Sequence, residues 1–267
     1  MQSLLTKAFK SEYAMEIRKI TSAQNEYIKM LAKLSSKKNR DEAGIFLAEG
    51  EHLAEMAVNS GYGVENLLMT EEYYSNNNDK FSCDITIVPR SIIEKISDTK
   101  TPQEVVAVVK MEQVENALTD GRYIYCDNLQ DPGNVGTIIR TADAFSFDGV
   151  ILSEGCADVY SPKVIRSSQG SVFNIKIIRN KDIGFLEKVK NDFTITSTAL
   201  YGECVGIKNM KVEKNHIFIV GNEGSGVSKE ILDISDEIAY IPMSGKAESL
   251  NVSIAASIVM YEVKNRE

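Results

Sequence analysis

Residues 127–136 read Asp127-Asn-Leu-Gln-Asp-Pro-Gly-Asn-Val-Gly136 and follow an apolar run that is typical of a buried strand. Two later stretches have the same arrangement, Val220-Gly-Asn-Glu-Gly-Ser-Gly226 and Ile241-Pro-Met-Ser-Gly-Lys-Ala-Glu-Ser-Leu-Asn-Val-Ser253. Glycine allows a backbone to turn sharply and to approach a ligand closely. Three such loops in one region predict a pocket built largely from main chain, and a pocket of that kind usually holds a cofactor.

Strand-like and helix-like runs alternate around these loops. Apolar strands separated by helices predict an α/β fold with a mainly parallel sheet covered on both faces. In such sheets, ligands bind at the carboxyl ends of the strands, where all three loops lie. Strands are predicted at residues 123–126, 149–152, 173–178, 193–198, 217–220 and 237–241, and helices at residues 135–145, 183–191, 229–234 and 252–264.

The N-terminal half has a smaller α/β pattern of its own. We predict a helix at residues 17–34, a polar loop at 37–44, strands at 45–48, 64–69, 85–88 and 104–111, and helices at 49–59 and 91–97. The pattern divides the chain into a flexible N-terminal extension (1–14), a first α/β domain (15–111), a charged linker (112–120) and a second, larger α/β domain (121–267).

The composition argues against several classes of protein. No apolar run reaches the roughly 18 to 20 residues of a membrane span, and the N-terminus lacks the apolar core of a signal peptide. The chain has two histidines and four scattered cysteines. We therefore expect no metal site, and free thiols in a reducing cytoplasm.

Positive charge is concentrated at the N-terminus of an acidic chain. Residues 1–40 hold nine Lys and Arg against three Asp and Glu, whereas the whole protein has a net charge of −8. A local basic face can bind a polyanion even when the whole protein is acidic, but a solvated helix face fits the same charges. The candidate phosphate contacts are Lys33, Lys37, Lys38 and Arg40, with Lys163 and Arg166 as a second group.

Each polar residue of the three loops has an ordinary structural alternative. Asn134 and Arg140 stand near the start of a predicted helix, where a helix cap and a surface ion pair are the alternatives. Ser249 and Asn251 flank Leu250 before the last helix and also suit a capping role. Glu223 lies within a glycine-rich loop that is neither a Walker loop nor a dinucleotide fingerprint. An ordinary turn, with a solvated carboxylate, is its alternative.

Taken together, the three loops resemble the signature motifs of the SpoU/TrmH family of SPOUT RNA methyltransferases. The N-terminal half is similar to the family's L30e-like substrate-binding domain, although Glu104 stands where relatives often have glycine. The motifs of the larger domain are Asn128-Leu-Gln-Asp-Pro-Gly-Asn-Val-Gly-Thr-Ile-Ile-Arg-Thr-Ala142, Ile219-Val-Gly-Asn-Glu-Gly-Ser-Gly-Val227, Ile241-Pro-Met243 and Ser249-Leu-Asn-Val-Ser253. Those of the smaller domain are Ile45-Phe-Leu-Ala-Glu-Gly-Glu51 and Thr101-Pro-Gln-Glu-Val-Val-Ala107.

The resemblance implies methylation of a ribose 2′-hydroxyl in RNA with S-adenosylmethionine as cofactor, and 23S ribosomal RNA is the expected substrate. It also implies a trefoil knot and a homodimer formed through the SPOUT domain, with no metal and no membrane. The implied catalytic residues are Arg140, Asn134, Glu223, Ser249 and Asn251. The implied cofactor-binding residues are Gly221, Ile241, Leu250, Ala199 and Leu200.

Other functions remain open at this point. A transfer RNA methyltransferase would share the same motifs. A non-catalytic RNA-binding or ribosome assembly factor could keep the fold, but the complete set of polar loop residues argues against it. A nucleotide-binding enzyme could hold phosphate in the loop at residues 221–226, but the chain has no P-loop lysine in register there.

Overall fold

The computed structural model describes residues 15–112, 118–200 and 203–266 and contains two β-sheets. The predicted extension at 1–14 and the central part of the predicted linker, 113–117, lie outside the described residues. Among the described residues no helix is long and apolar enough to cross a membrane. The same ranges contain no group of three metal-ligating side chains.

The smaller sheet is mixed and has the strand order β1-β4-β3-β5-β2. Strands β1 and β3 are parallel to β4, whereas β5 is antiparallel to both of its neighbours. Its strands are β1 (Ile17–Lys19), β2 (Ile45–Glu49), β3 (Val64–Met69), β4 (Ile85–Ile87) and β5 (Val105–Lys110). Its helices are α1 (Glu26–Leu31), α2 (Lys37–Ala43), α3 (Glu51–Asn59), α4 (Glu71–Asn77) and α5 (Arg90–Ile96).

The larger sheet has the order β10-β12-β9-β11-β6-β7-β8, and every strand pair in it is parallel. This confirms the predicted α/β fold with a parallel sheet. Its strands are β6 (Arg122–Asp127), β7 (Gly149–Ser153), β8 (Lys176–Lys181), β9 (Thr194–Thr198), β10 (Val205–Gly206), β11 (His216–Gly221) and β12 (Glu237–Tyr240). Its helices are α6 (Pro132–Ala144), α7 (Pro162–Ser168), α8 (Ile183–Val189), α9 (Lys229–Ile234) and α10 (Val252–Lys264).

Two predictions for the N-terminal segment are wrong. The helix expected at residues 17–34 begins only at Glu26, because the Asn25 side chain accepts a hydrogen bond from the Tyr27 N–H and caps the helix there. The preceding Ile17–Lys19 pairs with β4 instead. The polar loop expected at 37–44 is helix α2, which ends at Gly44 in the left-handed conformation with φ 67°.

Smaller differences concern the second half of the chain. The strand expected at residues 173–178 begins only at Lys176, because Ser171–Phe173 forms a 3-10 helix after Gly170. Residues 162–168, where no helix is predicted, form helix α7, with the Ser161 hydroxyl as its N-cap. Short helices of this kind lack a full apolar period and therefore leave little signal in the sequence.

One hydrophobic cluster contains buried residues of both domains. Phe46 of β2 stacks on Tyr160, with ring centroids 4.7 Å apart, and on Phe173 at 6.2 Å. Tyr160 and Phe173 belong to the larger domain. Beside this stack, Arg40 pairs with Asp158 at 2.5 Å. The aromatic stack and the ion pair fix the smaller domain against the larger one.

Candidate active site

The three glycine-containing loops meet at the carboxyl ends of β6, β11 and β12, as the parallel sheet requires. The first leads into α6, whose N-cap is Asp131: its Oδ1 accepts hydrogen bonds from the N–H groups of Gly133 (2.6 Å) and Asn134 (3.1 Å). The third leads into α10, capped by Asn251. The capping alternative thus holds for Asn251, whereas the cap of α6 is Asp131 and not Asn134.

Three of the predicted polar residues form a continuous hydrogen-bonded chain. Asn251 Nδ2 donates to Asn134 Oδ1 at 3.0 Å, and Asn134 Nδ2 donates to Glu223 Oε1 at 2.7 Å. The Oδ1 of Asn251 in turn accepts from the Ser253 hydroxyl at 2.6 Å. Residues 117 positions apart in the sequence are therefore joined in one network, and the orientation of each carboxamide is fixed by its neighbours.

Arg140 does not join this chain. It lies six residues after Asn134 on α6, which places the two side chains about 120° apart around the helix axis. The Arg140 side chain is exposed, and within the described ranges its guanidinium has no hydrogen-bond or ion-pair partner. The surface ion pair considered as an alternative is therefore not formed there.

A cleft of about 420 Å³ opens beside the polar chain. Its walls combine backbone from the second and third loops with apolar side chains. All five predicted cofactor-binding residues line it, namely Ala199, Leu200, Gly221, Ile241 and Leu250, together with Glu223 and Ser249 of the predicted catalytic group.

Gly221 shows why the second loop needs glycine where it lines the cleft. A Cβ atom built on it would lie 2.1 Å from the backbone carbon of Gly226 and from the nitrogen of Val227. No side chain fits in that space, so the loop can close on itself only with glycine at this position. The backbone of the loop thereby faces the cleft directly.

Side chains that were not predicted from the sequence hold this loop in shape. Asn222 Oδ1 accepts from the N–H groups of Gly224 and Ser225, at 2.8 and 3.2 Å, and its Nδ2 donates to the carbonyl oxygen of Asn128 at 2.8 Å. The buried Asp127 accepts from the Ser228 N–H at 2.8 Å. Asn and Asp directly after apolar strands were the available signal, since both residues favour turns closed by their own side chains.

The cysteine thiols and the histidine ring of the larger sheet are poor candidates for a catalytic nucleophile or base. Burial raises the pKa of Cys126 and of Cys156, which keeps both thiols protonated. His216 stands at the opposite, amino end of β11, and burial lowers its pKa to about 3. At the start of α6, the hydrogen bond from Lys163 lowers the pKa of Asp131, so the cap is ionised.

The predicted RNA contacts differ in their accessibility. Lys33, Lys37 and Lys38 are exposed. Lys163 pairs with Asp131 at 3.1 Å, and Arg166 with Asp98 at 3.2 Å, both near the surface.

Arg40 does not fit the prediction of a phosphate contact. Its side chain is only 3% exposed, and besides the ion pair with Asp158 it donates to the carbonyl oxygens of Leu34 (2.6 Å) and Ser35 (2.8 Å). These partners occupy the guanidinium inside the protein, so it has no access to RNA.

Comparison with known proteins identifies relatives of both domains. Residues 121–261 match the SpoU rRNA Methylase family, and residues 25–107 match the MRM3-like substrate binding domain. The 23S rRNA (guanosine(2553)-2′-O)-methyltransferase RlmP of Bacillus subtilis is 36% identical over 93% of this chain and 100% of its own length. The 23S rRNA (uridine(2479)-2′-O)-methyltransferase of Streptomyces viridochromogenes is 30% identical over 92% of this chain and 91% of its own.

Solved structures agree with this relationship over nearly the whole chain. The AdoMet-bound rRNA methyltransferase from Sinorhizobium meliloti superposes with a TM-score of 0.83, at 30% identity over 94% of this chain and 98% of its own. The SpoU methyltransferase AviRb from Streptomyces viridochromogenes, in complex with AdoMet, gives a TM-score of 0.82 at 27% identity over 91% and 98%.

Proposed function

The chain belongs to the SpoU rRNA Methylase family, and on that premise we propose that it methylates a ribose 2′-hydroxyl of 23S ribosomal RNA with S-adenosylmethionine. One observation carries the proposal beyond family membership. The three loops converge on a single cleft walled by backbone, and the polar chain of Asn251, Asn134 and Glu223 stands beside it.

The cleft suits S-adenosylmethionine in size and chemistry. Its volume of about 420 Å³ falls within the range of roughly 300 to 1,000 Å³ that is usual for small-molecule sites. Ile241 and Leu250 offer apolar surface to an adenine ring, while the glycine loop at Gly221 offers backbone groups to the ribose. When bound, the cofactor supplies an electrophilic methyl carbon together with its own leaving group.

The residues of this chain then have to orient the 2′-hydroxyl and favour loss of its proton. Arg140 is proposed to stabilise the negative charge that develops on the 2′-oxygen, since arginine stays protonated and is a poor base. Asn134, Glu223 and Asn251 hold one another in a fixed arrangement, and Ser249 contributes from the cleft wall. Positioning of this kind lowers the barrier before any bond changes.

A homodimer explains why Arg140 stands apart from the polar chain of its own subunit. On α10, Ile254 is 52% and Tyr261 55% exposed, an apolar surface next to α6. Pairing of the α6–α10 faces of two subunits would cover it and bring Arg140 toward the cleft of the partner. The proposal also includes the family's trefoil knot at the C-terminus and a cytoplasmic location.

The proposal assigns a different role to each domain. Residues 15–111 form the RNA substrate-binding domain, residues 121–267 form the catalytic domain, and residues 112–120 link them. Lys33, Lys37, Lys38, Lys163 and Arg166 contact phosphates of the RNA.

The decisive experiment maps 2′-O-methyl groups in ribosomal and transfer RNA from a deletion strain. We expect one 23S position to lose its methyl group, and purified protein with S-adenosylmethionine to restore it. Loss of a methyl group in transfer RNA would reassign the substrate. Intact methylation in both RNAs, with no cofactor binding in calorimetry, would contradict an enzymatic role.

A further inference from the structure

A second cleft, of about 230 Å³, lies between the two domains. Leu34, Leu47 and Val106 of the smaller domain line it on one side, and Pro162 and Ile165 of α7 line it on the other. The cleft is separate from the methyl-transfer site, because no residue lines both. Its lining is mixed, because Glu49, Lys95 and Asp98 stand beside these apolar side chains.

Two polar groups in this cleft lack hydrogen-bond partners among the residues that the structure describes. One is the buried hydroxyl oxygen of Ser97. The other belongs to Glu49, whose Oε1 accepts from the Thr99 hydroxyl and from the Gln103 N–H, but whose Oε2 has no partner within the described part of the chain. Of the two, the Glu49 oxygen is the acceptor that is available to a ligand that donates hydrogen bonds, since the Ser97 oxygen is closed off inside the protein.

Helix α7 connects this cleft to the methyl-transfer site. Arg166 lines the cleft and pairs with Asp98. One turn earlier, Lys163 pairs with Asp131, the residue that caps α6 and fixes the backbone of Asn134. An RNA strand that reaches Asn134 can therefore continue along two cations to the second cleft.

We propose that this cleft binds one unpaired nucleobase of the RNA substrate, next to the nucleotide that is methylated. The inference rests on the proposed function. Single-stranded bases are the usual targets of sequence-specific RNA recognition. The apolar side chains of the cleft would contact the base, and amino or imino hydrogens on its edge would donate to Glu49 Oε2. Carboxylates recognise base amino groups in this way.

Two substitutions test the cleft by different means. Glu49→Gln keeps the accepting Oε1 but replaces the free acceptor with an NH₂ donor, and Ser97→Leu fills the space. Methylation of 23S RNA from a deletion strain would be followed as a function of RNA concentration. For Glu49→Gln we expect the KM for RNA to rise roughly 10-fold with kcat and the Kd for S-adenosylmethionine unchanged, and for Ser97→Leu a larger rise.

The matched control is Glu94→Gln, the same change at an exposed position of the same domain, outside the cleft. It should behave as wild type. An active wild-type enzyme whose KM is unaffected by both cleft substitutions would overturn the base-binding proposal. If the wild-type protein methylates no RNA, the proposed function fails instead, so the two failures are distinguishable.

A second measurement identifies the base. Short RNA substrates would carry an abasic nucleotide at each position flanking the methylated one. At one position we expect a roughly 10-fold decrease in kcat/KM for the wild type and no further decrease for Glu49→Gln, because both changes remove the same interaction. Independent, additive decreases at every position would contradict a direct contact between Glu49 and a base.

Discussion

The orientation of the Asn134 carboxamide is fixed at both ends by neighbouring side chains. Its oxygen accepts from Asn251 and its nitrogen donates to Glu223, so neither end of the carboxamide is free to rotate. The sequence suggested all three residues only through the resemblance of their loops to the family motifs, since each residue alone also suited a cap or an ordinary turn. The sequence did not reveal their mutual bonding, since that depends on how strands β6 and β11 and helix α10 come together.

Replacement of Arg140 tests its assignment to the transition state. We expect Arg140→Ala to lower kcat by roughly 100- to 1,000-fold, as for the removal of one charge-stabilising donor, and to leave the Kd for S-adenosylmethionine within about twofold. Single-turnover methyl transfer and calorimetry measure the two quantities. Lys188→Ala, which removes an exposed cation from α8, serves as the control. Near-normal turnover of Arg140→Ala would exclude a catalytic role.

Asn222 should affect cofactor binding rather than chemistry. Asn222→Ala removes three hydrogen bonds that shape the glycine loop, each contributing roughly 0.5 to 1.5 kcal/mol. We expect the Kd for S-adenosylmethionine to rise by about 10-fold or more, with a smaller change in kcat at saturating cofactor. Calorimetry measures the affinity, and Asn209→Ala, outside the cleft, should leave it unaltered. An unchanged Kd would mean that the loop keeps its shape without this side chain.

At the scale of elements, the long apolar strands and helices could be predicted because each carries a full hydrophobic period. Helix α2 could not, since Arg40 is its only buried residue. The burial of Arg40 depends on Asp158, which lies 118 residues away in the other domain. Charge alone marked Arg40 as an RNA contact, and only the tertiary structure shows that the charge is neutralised inside.

Removal of the Arg40 side chain should therefore destabilise the protein. Arg40→Ala leaves the Asp158 carboxylate without its partner in a largely buried place, and removal of one member of a buried pair costs about 3 to 5 kcal/mol. Chemical denaturation would report the decrease in the free energy of unfolding. The exposed Lys38→Ala should cost less than about 0.5 kcal/mol. Equal stability of both variants would contradict a structural role for Arg40.

His216, at the start of strand β11, makes the stability of the protein depend on pH. Its pKa of about 3 in the folded protein lies below the ordinary value of 6.5, because burial disfavours the charged ring. The unfolded chain therefore binds a proton that the folded chain does not. The contribution of the neutral His216 ring to the free energy of unfolding is complete above about pH 6.5. It is lost as the pH falls toward 3, with a slope of roughly 1.4 kcal/mol per pH unit.

Replacement of this ring isolates its contribution from that of the carboxylates. We expect His216→Gln to be less stable at pH 7 but to lose stability less steeply between pH 6.5 and 4, as measured by urea denaturation at each pH. His52→Gln, which changes an exposed ring that is hydrogen-bonded to the Gln169 carbonyl oxygen, is the control. Identical slopes for all three proteins would mean that His216 titrates normally.

At the scale of the whole molecule, the N-terminal basic segment should act on RNA affinity alone. Neutralising Lys33, Lys37 and Lys38 should reduce the log–log dependence of RNA affinity on salt by roughly 0.7 to 0.9 for each phosphate that is no longer neutralised. Methylation at saturating RNA should persist, because none of the three residues lines the cofactor cleft. Neutralising Lys188, Lys208 and Lys211 is the matched control. An unchanged salt slope would place the phosphate-binding residues elsewhere, with Lys163 and Arg166 next to be tested.

The stack of Phe46, Tyr160 and Phe173 packs the two domains against each other in one hydrophobic cluster. If both clefts bind the RNA as proposed, this packing sets the distance between the base-binding cleft and the methyl-transfer centre. Such a protein would accept only an RNA whose own fold presents an unpaired base and a ribose at that distance. A new target would then arise by reshaping the interface between the domains, with the catalytic loops left intact.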